Sequence, residues 1–416
     1  MKKIIGKLHL WLGLTSGLVV FIISITGCIY VFEEELTSWL YKDREVIAIP
    51  THATKKPLSS LLKIAQAAAG ENHPIQNIEI PKEADRTYTF RPVQVLDKKA
   101  YTHFGEVVYQ HKFYLNPYTG VVVKNEDSKY GFFTIVLRLH RNLLLNRSIG
   151  LIIVGVSVCI FVIMLITGIV LWWPQNKMAI RQRLSFTWKS TTQWKRKNFD
   201  LHTILGFYSS LIVLIIALTG LTWAFDWFDN SVQWLVNVGA KTMKHHPIYS
   251  DTTHITSATL IDQILHDLET KNPEAHTFTI NLPEKPKGVI NASARSGIHV
   301  RYATRRYQYD QFTGALLKIS TFDKKNNGEK LKAMNYDIHV GSILGLPGKM
   351  LAFVAALISA SLPVTGFYIW YGRRFKKGAP HQREKKTASG ATTKSTRKRV
   401  KTNVESLSSS METITD

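Results

Sequence analysis

The chain has 416 residues, a hydrophobic fraction of 45% and a formal net charge of +23, enough length for two or three domains. Two cysteines, Cys28 and Cys159, exclude a disulfide framework and a cysteine-based metal site. The positive charge lies beside long apolar runs, which points to a membrane surface and argues against a nucleic-acid partner. In chain order, the first apolar run is Leu10–Phe32. A helix rises ~1.5 Å per residue, so ~20 apolar residues cross a ~30 Å hydrocarbon core. The run follows Met1-Lys2-Lys3 but is long for a signal peptide. It leads into Glu33-Glu34-Glu35 without a small-x-small cleavage site, so residues 1–32 are expected to stay as a first spanning helix. Residues 33–137 carry thirteen basic and thirteen acidic residues and read as an outer domain. It holds an amphipathic helix at Leu58–Ala69 and a hairpin at Phe113–Val122.

Residues 138–173 form the expected second span, with the apolar run Ile149–Trp173. The loop 174–200 has seven Lys or Arg against one acid. Residues 201–225 are the third span. A second outer domain, 226–338, has a helix expected at Ser257–Glu269 and a hairpin at Tyr307–Leu316. The fourth span is 339–371, whose apolar run Ile343–Trp370 contains one charge, Lys349. The tail, 372–416, has twelve Lys or Arg against four acids and reads as disordered. Basic segments collect on the cytoplasmic side, so both termini and the 174–200 loop are expected inside. The lipid bilayer is then the first expected partner.

The chain repeats itself: helix, outer domain, helix, twice. Lys7-Leu8-His9-Leu10-Trp11 corresponds to Asp200-Leu201-His202-Thr203-Ile204, and each is followed by a Thr-Gly pair, Thr26-Gly27 and Thr219-Gly220. Arg138-Leu139-His140-Arg141 corresponds to Asp337-Ile338-His339-Val340, with Thr167-Gly168 and Thr365-Gly366 downstream. These small residues read as helix-packing positions. Four of the fifteen histidines therefore hold equivalent places. His9 and His202 fall at the inner end, His140 and His339 at the outer end. Imidazole is a good axial ligand for haem iron, and bundle sites are built from facing helices, so each pair is a candidate bis-histidine site. Lys7 and Lys197 inside, and Arg138 and Arg141 outside, are candidate partners for haem propionates. A covalent haem is excluded, since no Cys-x-x-Cys-His run occurs. A two-histidine zinc site would be sparse, since zinc takes three or four protein ligands. His103, His111, His245 and His246 read as solvated or locally bonded, and Arg301, Arg305 and Arg306 as a solvated strand face with a possible affinity for an anion.

The Leu-His-x-Trp-x-Gly-Leu start and the two Tyr-x-[Asn/Asp]-x-x-Thr-Gly hairpins resemble the PepSY-associated transmembrane family, over residues 1–375. One departure is Gln311, where the pattern has Pro. The family includes iron-regulated inner-membrane proteins and ferric-siderophore reductases. The resemblance implies a membrane all-α four-helix bundle with two periplasmic α+β, PepSY-like domains and an internal duplication. It also implies b-type haem, two groups held by His9 with His202 and His140 with His339, in a multi-pass protein of the bacterial inner membrane. The implied reaction is reduction of Fe(III) in a siderophore by electrons carried outward. No Gly-x-Gly-x-x-Gly follows a strand, so the donor is expected to be a separate flavin reductase or quinol. Two rival readings are a non-enzymatic envelope protein binding a protein or peptide, and a haem or metal transporter. The scarcity of ionisable residues in the central helix segments argues against the transporter.

Overall fold

The computed structural model describes residues 1–52, 54–174, 176–240, 247–252, 259–297 and 300–375. His245, His246, the first residues of the helix expected from Ser257, and most of the basic tail lie outside the described residues.

Helix α1 (Lys2–Tyr30) covers the first apolar run. The first outer segment follows with α2 (Glu33–Leu40), α3 (Lys42–Glu45), α4 (Leu58–Ala69) and α5 (His103–Glu106). Its strands are β1 (Ile75–Pro81), β2 (Tyr88–Pro92), β3 (Val95–Leu96), β4 (Val107–Tyr109), β5 (His111–Leu115) and β6 (Val122–Asp127). It closes with α6 (Phe132–Asn142), and the chain turns into α7 (Arg147–Trp172). On the other side lie α8 (Lys177–Leu184) and α9 (Trp194–Asp200), a π-helical turn (Leu201–Leu205) and α10 (Gly206–Ala224). The second outer segment has α11 (Asp226–Val236), α12 (Leu260–Lys271), β7 (Thr277–Asn281), β8 (Val289–Arg295), β9 (Arg305–Asp310), β10 (Leu316–Ser320) and α13 (Asn327–His339). Helix α14 (Gly345–Arg374) ends the described chain.

Four stretches, Lys2–Tyr30, Arg147–Trp172, Trp194–Ala224 and Ser342–Arg374, are long and apolar enough to cross a membrane. Helices α1 and α10 each pack against both α7 and α14. Outward-facing Leu18, Leu211 and Ile152 are exposed, as side chains in contact with lipid are. Trp11, Trp173 and Trp194 near one end and Trp227 and Trp234 near the other are exposed too, in the manner of interfacial anchors.

The two outer segments are not separate bodies. They share one eight-stranded antiparallel sheet in the order β10-β9-β8-β7-β1-β2-β5-β6. The halves meet where β1 pairs with β7, Ile78 opposite Ile280 and Ile80 opposite Phe278. Successive side chains of a strand point to opposite faces, and one face of the sheet collects the apolar ones. Helices α4 and α12 lie on that face through Leu58, Leu61, Ala65, Leu260, Ile264 and Leu268, over Phe90, Phe113, Phe278 and Tyr309. Separate domains were expected from the sequence because the apolar alternation of β1 and β7 gives no sign of which strand each will pair with.

The hairpin signature has a local cause. Asn116 Oδ1 accepts hydrogen bonds from the amides of Tyr118 (2.9 Å) and Thr119 (3.2 Å). Asp310 Oδ1 does the same for Phe312 (2.9 Å) and Thr313 (2.8 Å). Gly120 and Gly314 follow with φ of 79° and 72°, and a β-carbon on either would lie 2.8 Å from Ile64 or Leu260.

Lys349, the charge noted inside the fourth apolar run, is 3% exposed and pairs with Glu35 at 2.7 Å. The pair ties α2 to α14. Glu35→Ala strands the buried ammonium. Breaking a buried pair costs about 3–5 kcal/mol, reduced here to about 2 kcal/mol because the Glu35 side chain is 34% exposed. The melting temperature in detergent is expected to fall by several degrees and to recover in Glu35→Ala/Lys349→Met. An unchanged melting temperature in the single variant would refute the pair's role.

Candidate functional site: two histidine pairs

The sequence placed His140 and His339 at the starts of the second and fourth spans. The structure puts them one element earlier. His140 lies in the last turn of α6 and His339 ends α13, each just ahead of the corner into a spanning helix. Those corners aim both rings into the space between the long helices. His9 sits on α1, and His202 on the π-helical turn before α10. Single π-turns recur at functional sites because they re-aim one side chain within a continuous helix.

The four rings form two pairs. His140 and His339 have ring centres 6.2 Å apart at an interplanar angle of 72°. His9 and His202 are 6.5 Å apart at 83°. The fourteen-residue step along α1 from His9 to Ile23, whose carbonyl holds His140, is about 21 Å. The pairs thus stand at two depths of one ~30 Å layer.

Each ring is held the same way, by the Thr-Gly pair of a neighbouring helix. His9 Nδ1 lies 2.9 Å from Thr167 Oγ1, His202 Nδ1 2.9 Å from Thr365 Oγ1, His140 Nδ1 3.3 Å from Thr26 Oγ1, and His339 Nδ1 2.9 Å from Thr219 Oγ1. Every one of these threonine hydroxyls donates back to a carbonyl of its own helix, from Met164, Ser361, Ile22 and Ile215 respectively. The oxygen is then left to accept, which places the proton on Nδ1. In the outer pair Nδ1 also meets a carbonyl, Ile23 O at 2.7 Å and Ile216 O at 3.0 Å, and a carbonyl only accepts. The tautomer that results carries its lone pair on Nε2. Burial holds the pKa of His140 and His339 below the ordinary imidazole range. Among the described residues none of the four Nε2 atoms has a hydrogen-bond partner.

The glycine of each pair makes room for the ring. A β-carbon would lie 3.2 Å from His140 Cε1 at Gly27, 3.5 Å from His9 at Gly168, 3.5 Å from His339 at Gly220 and 3.2 Å from His202 at Gly366. The sequence reading as packing positions was incomplete, because the Thr-Gly of one spanning helix serves the histidine that precedes the other. The available signal was the histidine-to-glycine spacing, eighteen residues from His9 to Gly27 and from His202 to Gly220, and twenty-eight and twenty-seven from His140 to Gly168 and from His339 to Gly366.

A cavity of about 980 Å³ opens at the outer pair. Val20, Gly27, Phe161 and Gly220 line its depth together with both histidines. Its mouth is cationic, with Arg141, Arg301, Arg306, Lys318, Lys324, Lys325 and Lys332. Trp223 stands against His339 at 5.1 Å between ring centres. Of the four cations named from sequence, Arg141 reaches this cavity. Arg138 is absent from its lining and has Glu106 and Arg147 as electrostatic neighbours. Lys7 is exposed on α1, and the Lys197 ammonium lies 5.8 Å from the centre of the Trp188 ring. The cations from β9, β10 and α13 were not assigned to the site from sequence, since only the fold carries the second outer segment over the first pair of helices. Arg301 pairs with Glu34 at 3.0 Å and stacks on Tyr336 at 4.0 Å.

The two aspartates near the histidines do other work. Asp337 accepts from the amides of Arg301 and Tyr302 and from the Ser342 hydroxyl, fixing the corner behind His339. Asp200 accepts from Trp188 and Arg196. No group of three or more His, Cys, Asp or Glu suited to a metal ion occurs among the described residues. His103 is buried and bonds the Lys129 carbonyl, and His111 bonds Asn125, as the local reading expected.

Residues 7–373 match the family described as the PepSY-associated TM region. The chain belongs to the PepSY-associated transmembrane family. It is a membrane protein with transmembrane helices, and its helices and sheet are one mixed architecture. No curated protein matches it in sequence. The paired histidines lie inside the stretch matched to the PepSY-associated family, as do all four Thr-Gly pairs.

Proposed function

We propose that this protein is a haem b electron conduit of the bacterial inner membrane that reduces Fe(III) in a siderophore on the periplasmic side. In this reading the spanning helices are a four-helix bundle arising by internal duplication, with both termini in the cytoplasm. The observation that carries the reading is the pairing of four imidazoles, each with Nδ1 engaged and Nε2 unengaged among the described residues. The ring centres of the two pairs stand 6.2 and 6.5 Å apart, near enough for one metal ion to meet both imidazoles of a pair. Two imidazoles, with no third protein ligand among the described residues, suit an ion that brings its own donor set, as haem iron does. When bound, haem supplies a one-electron couple at each depth.

The chain's own residues do the rest. His9 with His202, and His140 with His339, would hold the haem through their Nε2 atoms. Thr26, Thr167, Thr219 and Thr365 fix the rings and raise their basicity, as hydrogen bonds to the far side of a ligand do. Arg141 and the other mouth cations would supply charge for the haem propionates. Between the pairs, Val20, Phe161, Leu165, Val213 and Ala355 pack into an apolar layer, with Ser24 and Ser359 bonded to each other at 3.0 Å. That layer supports passage of electrons rather than of hydrated ions. The donor is a separate quinol or flavin reductase, and one electron per Fe(III) yields Fe(II), which oxygen chelators hold weakly.

The visible spectrum of the purified protein tests the reading. A Soret band and a b-type α band on dithionite reduction are expected, and a colourless protein from haem-replete cells overturns it.

A further inference from the structure

We propose that the ferric chelate is negatively charged and docks in a polar recess of the sheet beside the mouth of the outer cavity. The proposal rests on the reductase reading and names its substrate class. The recess is a second cavity of about 500 Å³, lined by Asn281, Asn291, Ser293, Arg306, Gln308 and Lys318 among others. These side chains belong to β7–β10, on the sheet face opposite the core, since their neighbours Ile280, Ala292, Tyr307 and Tyr309 point into it. Arg306, Lys318 and Ser320 line both cavities, so the recess and the histidine cavity adjoin.

The charge of this region is one-sided. Glu329 is the single carboxylate among the residues lining either cavity. Arg301 and Lys332 are already committed, to Glu34 and to Asp229 at 2.7 Å. Arg141, Arg306, Lys318, Lys324 and Lys325 make no ion pair among the described residues. Burial and the nearby Arg306 push the Lys325 pKa down, against the opposing pull of Glu329. Two haem propionates would neutralise two of five. The surplus, set beside amide and hydroxyl donors, suits a ligand presenting several anionic oxygens, such as a catecholate or carboxylate chelate. An uncharged trihydroxamate chelate has no charge for these cations to meet.

Gallium(III) complexes test binding without electron transfer, because gallium stays trivalent. Full-length protein in nanodiscs of zwitterionic lipid is titrated calorimetrically with two hexadentate complexes, a triply negative tricatecholate and an uncharged trihydroxamate. The tricatecholate is expected to bind about tenfold or more tightly than the trihydroxamate, and Arg306→Gln/Lys318→Gln to remove most of that preference. Equal binding of the two complexes by the parent protein overturns the proposal, as does an unchanged preference in the variant. A protein that lacks haem bands yet prefers the tricatecholate supports the recess and overturns the reductase. One that reduces ferric chelates without discriminating charge overturns the recess alone.

Discussion

A His339→Ala variant is expected to carry about half the haem of the parent chain, because one bis-histidine site of two loses an axial ligand. His140→Ala is expected to do the same, since the two rings face one site at 6.2 Å. The inner pair is built on α1 and the π-turn before α10, away from either substitution. The remaining haem should therefore stay reducible. Pyridine haemochrome content against protein concentration measures the outcome, and full haem content in both variants would sink the outer pairing.

The second large effect is expected at a residue with no chemistry of its own. Gly27→Val places a branched side chain where even the β-carbon lies 3.2 Å from His140 Cε1. The ring cannot move back, because Nδ1 is held by the Ile23 carbonyl at 2.7 Å. The valine must displace the imidazole or the helix, at a cost of about 1–3 kcal/mol. Outer haem is expected to be lost as fully as in His140→Ala, with helical circular dichroism unchanged. Thr26→Val is the milder partner, expected to weaken outer haem about 10–100-fold by loss of a ligand-orienting hydrogen bond. A Gly27→Val protein with both haems intact would show that the glycine serves helix packing alone.

The sequence displayed the membrane helices well, because twenty apolar residues in a row have few other fates. Helix α4 was found at its true ends, Leu58–Ala69, and both hairpins through their Asn or Asp and Gly residues. The histidine pairs were visible because a repeat compares the chain with itself. Three things were hidden. The corner that makes His140 end α6 depends on how α6 packs at the head of α7. The joining of β1 to β7 depends on which edge each segment leaves open. Six of the seven mouth cations, Arg301, Arg306, Lys318, Lys324, Lys325 and Lys332, lie more than a hundred residues from His140, and local pattern carries no information about that distance. Arg301 and Arg306, read as a solvated face, line the cavity for this reason, while Arg305 is absent from that lining and pairs with Glu274.

The seam between β1 and β7 also bears on how such a chain is put together. Each outer segment alone would leave a strand edge of unpaired amides and carbonyls, and each pair of spanning helices would leave half of each histidine site. With both segments in one chain the complementary edge is always present, at an effective concentration set by the residues that join them. Each of these strand edges and each histidine ring therefore meets its counterpart inside one molecule, and a second copy is not needed to complete the sheet or to bring the rings together.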